Sequence, residues 1–125
     1  MVVGPDGALY VSQLTGAPFV PDAANIYRVE PGSEPEIYAS GLTNVTGLAF
    51  DRHGDLYAIE FASSGILSGD PAGALVKVNQ HGPHETVLSE GLVNPTGLAV
   101  GRKGDFYISN HGSEAGAGEV LRFRP

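Results

Sequence analysis

The stretch GPDGALYVS at residues 4–12 decides the fold, because it recurs as DRHGDLYAI at 51–59 and as GRKGDFYIS at 101–109. In each copy a glycine turn precedes a short run of Leu, Phe, Tyr, Val or Ile, a pattern typical of β-strands. Equivalent positions lie 47 and 50 residues apart. Repeats of about this length indicate stacked structural modules. The chain is therefore predicted to be a tandem repeat of one β-rich unit.

Two further segments repeat in the same order. PEIYASGLTNVTGLAF (35–50) aligns without gaps with ETVLSEGLVNPTGLAV (85–100), while NIYRVEP (25–31), ALVKVNQ (74–80) and EVLRFRP (119–125) share one alternation. One repeat thus holds four strands: a (TGLAF, TGLAV), b (the opening segment), c (the NIYRVEP set) and d (EIYAS, TVLSE). The a–b turns place glycine where a tight hairpin needs positive φ. Four antiparallel strands in about 45 residues are typical of a β-propeller blade.

The number of blades is too small for a closed ring. Blade 1 is predicted at about 1–45, blade 2 at about 46–95, and blade 3 at about 96–125 without its outer strand d. These make about 2.75 blades, whereas a ring needs at least four, or about 160–190 residues. The end blades should therefore expose apolar sheet faces. We expect a partner, either a missing N-terminal half of the propeller or a second copy of the chain.

Composition restricts the classes of function. A hydrophobic content of 42% permits a packed core, while a net charge of −7 argues against binding to a nucleic-acid backbone. The absence of cysteine excludes disulfides, thiolate catalysis and Cys-ligated metals. No apolar run is long enough to span a membrane, and the N-terminus MVVGPDG shows no signal peptide. The sequence itself therefore assigns no compartment.

Four phrases support a family resemblance: GPDGALYVSQLTGAPF (4–19), GILSGDPAGALVKV (65–78), NPTGLAVG (94–101) and SNHGSEAGAGEVLRF (109–123). Together they resemble the ScyD/ScyE family of bacterial, NHL-like, six-bladed propellers, named for members encoded beside scytonemin pigment biosynthesis genes. The resemblance covers almost the whole chain and is most specific in the long b–c insertions. It implies that the chain is the C-terminal half of a secreted propeller, extracellular or periplasmic. It implies no established reaction.

Candidate site residues gather on one predicted face. The long b–c insertions at 15–24, 62–73 and 112–118 lie there, and long loops on a rigid scaffold often bind ligands. The same face should hold polar residues that end strand b or precede strand a: Gln13, Glu60, Asn110, His111, Asn44 and Asn94. We expect any ligand to bind on this face, near the channel end of strand b.

These residues have two interpretations. In the first, they ring the central channel and hold a divalent cation such as Ca²⁺, as in gluconolactonase-like propellers, with Glu60 as the charged ligand. In the second, Asn44 and Asn94 bond turn backbone, and Glu60 and His111 are structural. The other histidines, His53, His81 and His84, are predicted in solvated turns on the opposite face.

Three classes of function follow. A non-enzymatic ligand-binding or scaffold propeller of the ScyD/ScyE type is favoured, because polar groups are sparse and the long loops are rich in Gly, Ala, Pro and Ser. The alternatives are a metal-assisted hydrolase or lyase of gluconolactonase-like propeller type, and a structural protein without a ligand. Nucleophilic catalysis has little support, since the sequence contains no G-x-S-x-G elbow.

Overall fold

The computed structural model describes all 125 residues and contains eleven β-strands and no α-helix. The strands are β1 (Val2–Val3), β2 (Leu9–Ser12), β3 (Ala24–Val29), β4 (Glu36–Leu42), β5 (Val45–Phe50), β6 (Leu56–Glu60), β7 (Ala74–Lys77), β8 (Glu85–Leu88), β9 (Gly97–Val100), β10 (Phe106–Asn110) and β11 (Glu119–Phe123). One 3-10 turn, Ile66–Ser68, lies between β6 and β7. No helix has the length and apolarity to cross a membrane.

The strands form three antiparallel sheets with the predicted order a-b-c-d. The first is β1-β2-β3-β4, the second β5-β6-β7-β8, and the third has three strands in the order β11-β10-β9. In the second sheet Leu56 pairs with Phe50, and Glu60 pairs with Ala74. The predicted all-β fold with partial propeller architecture is confirmed. The three sheets span residues 2–42, 45–88 and 97–123, while the blade boundaries stay a prediction.

The core lies between the sheets. Thirteen buried residues pack together around the first and second sheets, and Ile59, Leu75, Leu92, Phe106 and Ile108 form a second cluster toward the third sheet. Successive side chains of a strand point to opposite faces, so Ala58 belongs to the first cluster and Ile59 to the second. Because β6 is buried on both faces, its sequence LYAI is continuously apolar rather than alternating. Each large side chain buried in this way contributes about 1.5–3 kcal/mol.

The a–b turns have the predicted backbone. Gly7, Gly54 and Gly104 have φ of 82°, 82° and 87°, a region that glycine enters without steric cost. In the second sheet, Asp51 Oδ1 accepts hydrogen bonds from the N–H groups of His53 and Asp55, each at 2.9 Å. His53 thus lies in a turn that is stabilised by the Asp51 carboxylate.

Candidate functional site

Glu60 ends β6 with its side chain buried. It is 8% exposed, and its Oε2 accepts a hydrogen bond of 2.7 Å from Thr43 N–H. The register explains this contact, because β6 pairs Glu60 with Val45, two residues after Thr43. Oε1 accepts no hydrogen bond, and no Lys, Arg or His forms an ion pair with Glu60. A buried carboxyl with one free oxygen and no cation is uncommon.

Burial changes the charge of this carboxyl. Desolvation raises the pKa of Glu60 to about 7, the Thr43 N–H opposes the rise, and the negative charge of Asp22 adds to it. Water solvates a carboxylate better than a protein interior does, so burial favours the neutral form. In the cation-binding interpretation, Glu60 was expected to be the charged ligand. With a pKa of about 7, its carboxyl is partly neutral near neutral pH.

Glu60 lines a groove between the first and second sheets, here called the Glu60 groove. Its volume is about 360 Å³, and its twelve lining residues include no Lys or Arg. Asp22 and Ser63, from the b–c insertions of two successive sheets, line it too. Thr43 connects the two acids, since its Oγ1 accepts from Asp22 N–H at 2.9 Å while its own N–H donates to Glu60. Ser63 Oγ is buried and has no hydrogen-bond partner.

His84 also lines the Glu60 groove together with residues of the b–c insertions, although its c–d turn was predicted on the opposite face. Its Nδ1 accepts from Asn79 N–H at 3.0 Å, and its Nε2 lies 2.6 Å from Ser40 O. An Nδ1 that accepts requires the proton on Nε2, so the ring is the neutral tautomer and donates to Ser40. It therefore links the c–d turn of the second sheet to β4 of the first.

The side chains of Gln13 and Asn110, the repeat equivalents of Glu60, form hydrogen bonds with backbone groups. Gln13 Oε1 accepts from Asn25 N–H at 2.9 Å. Asn110 is 1% exposed; its Oδ1 accepts from Val93 N–H at 2.8 Å, and its Nδ2 donates to Gly91 O and to Glu119 Oε1. Neither residue lines the Glu60 groove. Their amides hold strands and connections in place.

Asn44 and Asn94 tie neighbouring repeats together from left-handed backbone, with φ of 45° and 44°. Asn44 donates to Leu14 O and accepts from Ile66 N–H, so it joins the first sheet to the b–c insertion of the second. Asn94 repeats the pattern, since it donates to Phe61 O and accepts from Ser113 Oγ. Both asparagines are thus used structurally, but they bond distant loops, whereas the second interpretation had expected bonds to their own turns.

The structure therefore does not bring the predicted residues together. Asn94 lines a separate groove of about 220 Å³ with Asp70 and Ser113. His111 lies 3.5 Å from Glu119 Oε1 through Nε2 and lines no cavity. No group of three or more His, Cys, Asp or Glu side chains could hold a metal ion. The residues of this chain thus supply no cluster for the divalent cation expected at Glu60.

A larger cavity, of about 500 Å³, lies between the a–b turns of the second and third sheets. It is lined by charges of both signs, and each of its acids already has at least one partner, which for Asp55 is Lys77. Asp51 accepts two backbone N–H groups, and Asp105 Oδ1 lies 3.4 Å from Arg124 Nε. We favour the smaller Glu60 groove, where a carboxylate oxygen and a hydroxyl are both free.

Sequence reasoning identified Glu60 but not its neighbours. Asp22 and Ser63 lie in long insertions, where no periodicity indicates which way a side chain points. One available signal was the alignment of Thr43-Asn44 with Val93-Asn94. Thr43 and Val93 are equivalent in this alignment. Each donates its backbone N–H to the residue that ends strand b of its repeat, Thr43 to Glu60 and Val93 to Asn110.

Comparison with known proteins supports the fold class. No protein-family profile matches the sequence. No curated protein matches it. Among solved structures, the chain is similar to the X-ray structure of a candidate gluconolactonase, with a TM-score of 0.63 and 21% sequence identity. The similarity covers 99% of this chain and 43% of that one, so the chain spans less than half the length of this relative. At this identity the likeness shows the fold alone: the chain is part of a β-propeller.

Proposed function

We propose that this chain is part of a non-enzymatic, ligand-binding β-propeller and that the Glu60 groove is its binding site. The observation that supports this proposal is the state of Glu60. Its carboxyl is almost fully buried, has one free oxygen, and lies beside a second acid and an unpartnered hydroxyl. A concave site with few convergent polar groups and a perturbed carboxyl pKa is typical of ligand binding.

The groove has dimensions suited to a small molecule. Its 360 Å³ lies at the lower end of the range for ligand sites. Both walls come from strands and loops within this chain, β4 and the first b–c insertion on one side and the second sheet on the other. This chain therefore supplies both walls of the groove.

A plugging variant tests the proposal without assuming the ligand. Gly82 lines the groove, its φ lies outside the left-handed region, and a Cβ there meets no atom within 4 Å. Gly82→Leu should fill the groove without strain. Gly118→Leu is the matched control, because Gly118 has equally open surroundings and lies outside the groove.

The measurement is ligand-observed NMR with mixtures of sugars, amines, carboxylates and alcohols. We expect at least one compound to bind the native protein and the control, and to lose binding in Gly82→Leu. The proposal is wrong if no compound shows this dependence while both variants unfold like the native protein.

The second candidate is a metal-assisted hydrolase or lyase of gluconolactonase-like propeller type. The similarity to a candidate gluconolactonase favours it only at the level of the fold. Elemental analysis of the complete protein, with lactone hydrolysis measured with and without Ca²⁺, separates the candidates. A stoichiometric bound divalent metal together with metal-dependent turnover would favour the enzyme.

We further propose that the chain belongs with the ScyD/ScyE propellers. The support is the sequence of the b–c insertions, which contribute Asp22 and Ser63 to the groove. Under this proposal the complete protein has six blades and acts outside the cytoplasm. Propeller repeats encoded upstream of residue 1, preceded by a secretion signal, would support it, and a gene without them would contradict it.

A further inference from the structure

We infer that the Glu60 groove binds a primary ammonium group of its ligand, with Glu60, Asp22 and Ser63 as the three acceptors. The inference rests on the proposed function, because it assigns a ligand class to the same groove. An ammonium group has three donors and no acceptor. The groove offers two carboxyl groups and one hydroxyl that can each accept one of them.

Thr43 connects two of the three acceptors, Asp22 and Glu60, and the third, Ser63, lines the same groove. Thr43 accepts from Asp22 N–H at 2.9 Å and donates to Glu60 Oε2 at 2.7 Å. This arrangement uses Oε2 of Glu60 and leaves Oε1 free, while the Asp22 contact uses its backbone and leaves its carboxylate free. Ser63 Oγ also has no partner. Buried polar atoms normally have partners, so a donor from outside the chain would satisfy Ser63 Oγ and the free oxygen of Glu60. The carboxylate of Asp22 is exposed and lines the same groove.

The electrostatics of the groove favour a cation. Two acids line it without any Lys or Arg, and the ring of His84 is fixed as a neutral tautomer by its two hydrogen bonds. A cation beside a buried carboxylate offsets the cost of its desolvation. The net charge of −7 attracts cations to the protein as a whole.

An ammonium group fits better than a metal ion. Calcium takes six to eight oxygen ligands, and no cluster of three or more acidic or histidine side chains is present. An ammonium group needs only three acceptors, and the lining of the groove also includes apolar Val76 and Pro83, which suit the carbon atoms attached to nitrogen. The ligand class is therefore a small primary amine.

The test compares two probes that differ only in the polar group, pentylamine and 1-pentanol. Binding is measured by NMR titration at pH 8 and low salt, on the complete protein and four variants. We expect pentylamine to bind and pentanol not to bind. Glu60→Gln and Asp22→Asn should each weaken pentylamine binding at least ~10-fold, and Ser63→Ala about 2–5-fold. Glu114→Gln removes an equal charge from an exposed position outside the groove and should have no effect.

Each other outcome has a definite meaning. Equal binding of pentanol, or equal weakening by Glu114→Gln, overturns the ammonium inference. The same holds if pentylamine fails to bind while another compound shows Gly82→Leu dependence, although the groove then remains a binding site. If no compound of any class shows that dependence, the proposed function itself is wrong. Melting curves of the variants exclude misfolding as the cause.

Discussion

Glu60 and Asn110 occupy the same position of the repeat and differ in one chemical property. Each accepts a backbone N–H from the residue that precedes the left-handed asparagine, Thr43 for Glu60 and Val93 for Asn110. Asn110 uses its Nδ2 for two further hydrogen bonds. Glu60 has no donor group when ionised, and its second oxygen stays free. A single change of residue type thus leaves a free acceptor at a position that is otherwise structural.

Replacing Glu60 by Gln should stabilise the protein in a pH-dependent way. The pKa of Glu60 rises from 4.5 to about 7 on folding, so the folded state binds the proton more tightly. Stability from this group is therefore lost as the pH rises from about 4.5 through 7. Gln can still accept from Thr43 N–H but has no charge to bury. We expect equal stability near pH 4 and a gain of about 1–2 kcal/mol at pH 8.

Chemical denaturation at pH 4, 6 and 8 measures this difference, with Glu114→Gln as the exposed control. If Glu60 were paired with a cation, removing its charge would lower the melting temperature. The structure shows no cationic partner, so the expected sign is reversed. A variant less stable than the native protein at pH 8 would show that Glu60 is stabilised by a cation.

The sequence predicted Glu60 as a candidate site residue because the end of strand b recurs at the same position in every repeat. It did not predict the groove, because the partners of Glu60 lie in irregular backbone. Asp22 has a φ of 62°, and no local sequence pattern predicts this left-handed conformation. Ser63 lies just after strand b, inside a twelve-residue insertion. A side chain in such a loop is placed by tertiary contacts rather than by periodicity.

At the scale of elements, the strands were predictable and the contacts between sheets were not. Apolar runs and glycine turns specify each hairpin locally. The junctions depend on close approaches that a single sequence does not reveal. Gly73 is an example: a Cβ there would lie 2.5 Å from Glu60 O and would also overlap the ring of Pro95. This glycine lets the second b–c insertion pack under the connection to the third sheet.

Gly73→Ala should therefore destabilise the junction between the second and third sheets. The added methyl group meets backbone and a proline ring, neither of which can move aside easily, so we expect a loss of about 1–3 kcal/mol. Gly118→Ala adds the same methyl group where no atom lies within 4 Å and should change stability by less than about 0.5 kcal/mol. Urea denaturation of both variants measures the difference. Equal stabilities would mean that the junction relaxes freely.

At the scale of the whole molecule, the first sheet has one face that nothing covers. Val11, Tyr27, Val29 and Pro35 line an apolar depression of about 330 Å³ on it. The repeat equivalents of the first three, Ala58, Val76 and Val78, are buried against the first sheet in the next repeat. The third sheet likewise exposes Val120, at 72%. The exposed faces of the first and third sheets are equivalent to the two faces that pack together between successive sheets within the chain.

These 125 residues, expressed alone, should therefore form dimers or larger assemblies, because joining the two faces removes apolar surface from water. Ile37, 61% exposed in β4 of the first sheet, offers a test. Ile37→Glu should shift the population toward monomer, since a buried carboxylate without a partner is costly. Leu67→Glu is the matched control, because Leu67 is 68% exposed in the 3-10 turn, away from both faces. Gel filtration with light scattering over a range of concentrations measures the shift, and a native monomer that unfolds cooperatively would contradict the prediction.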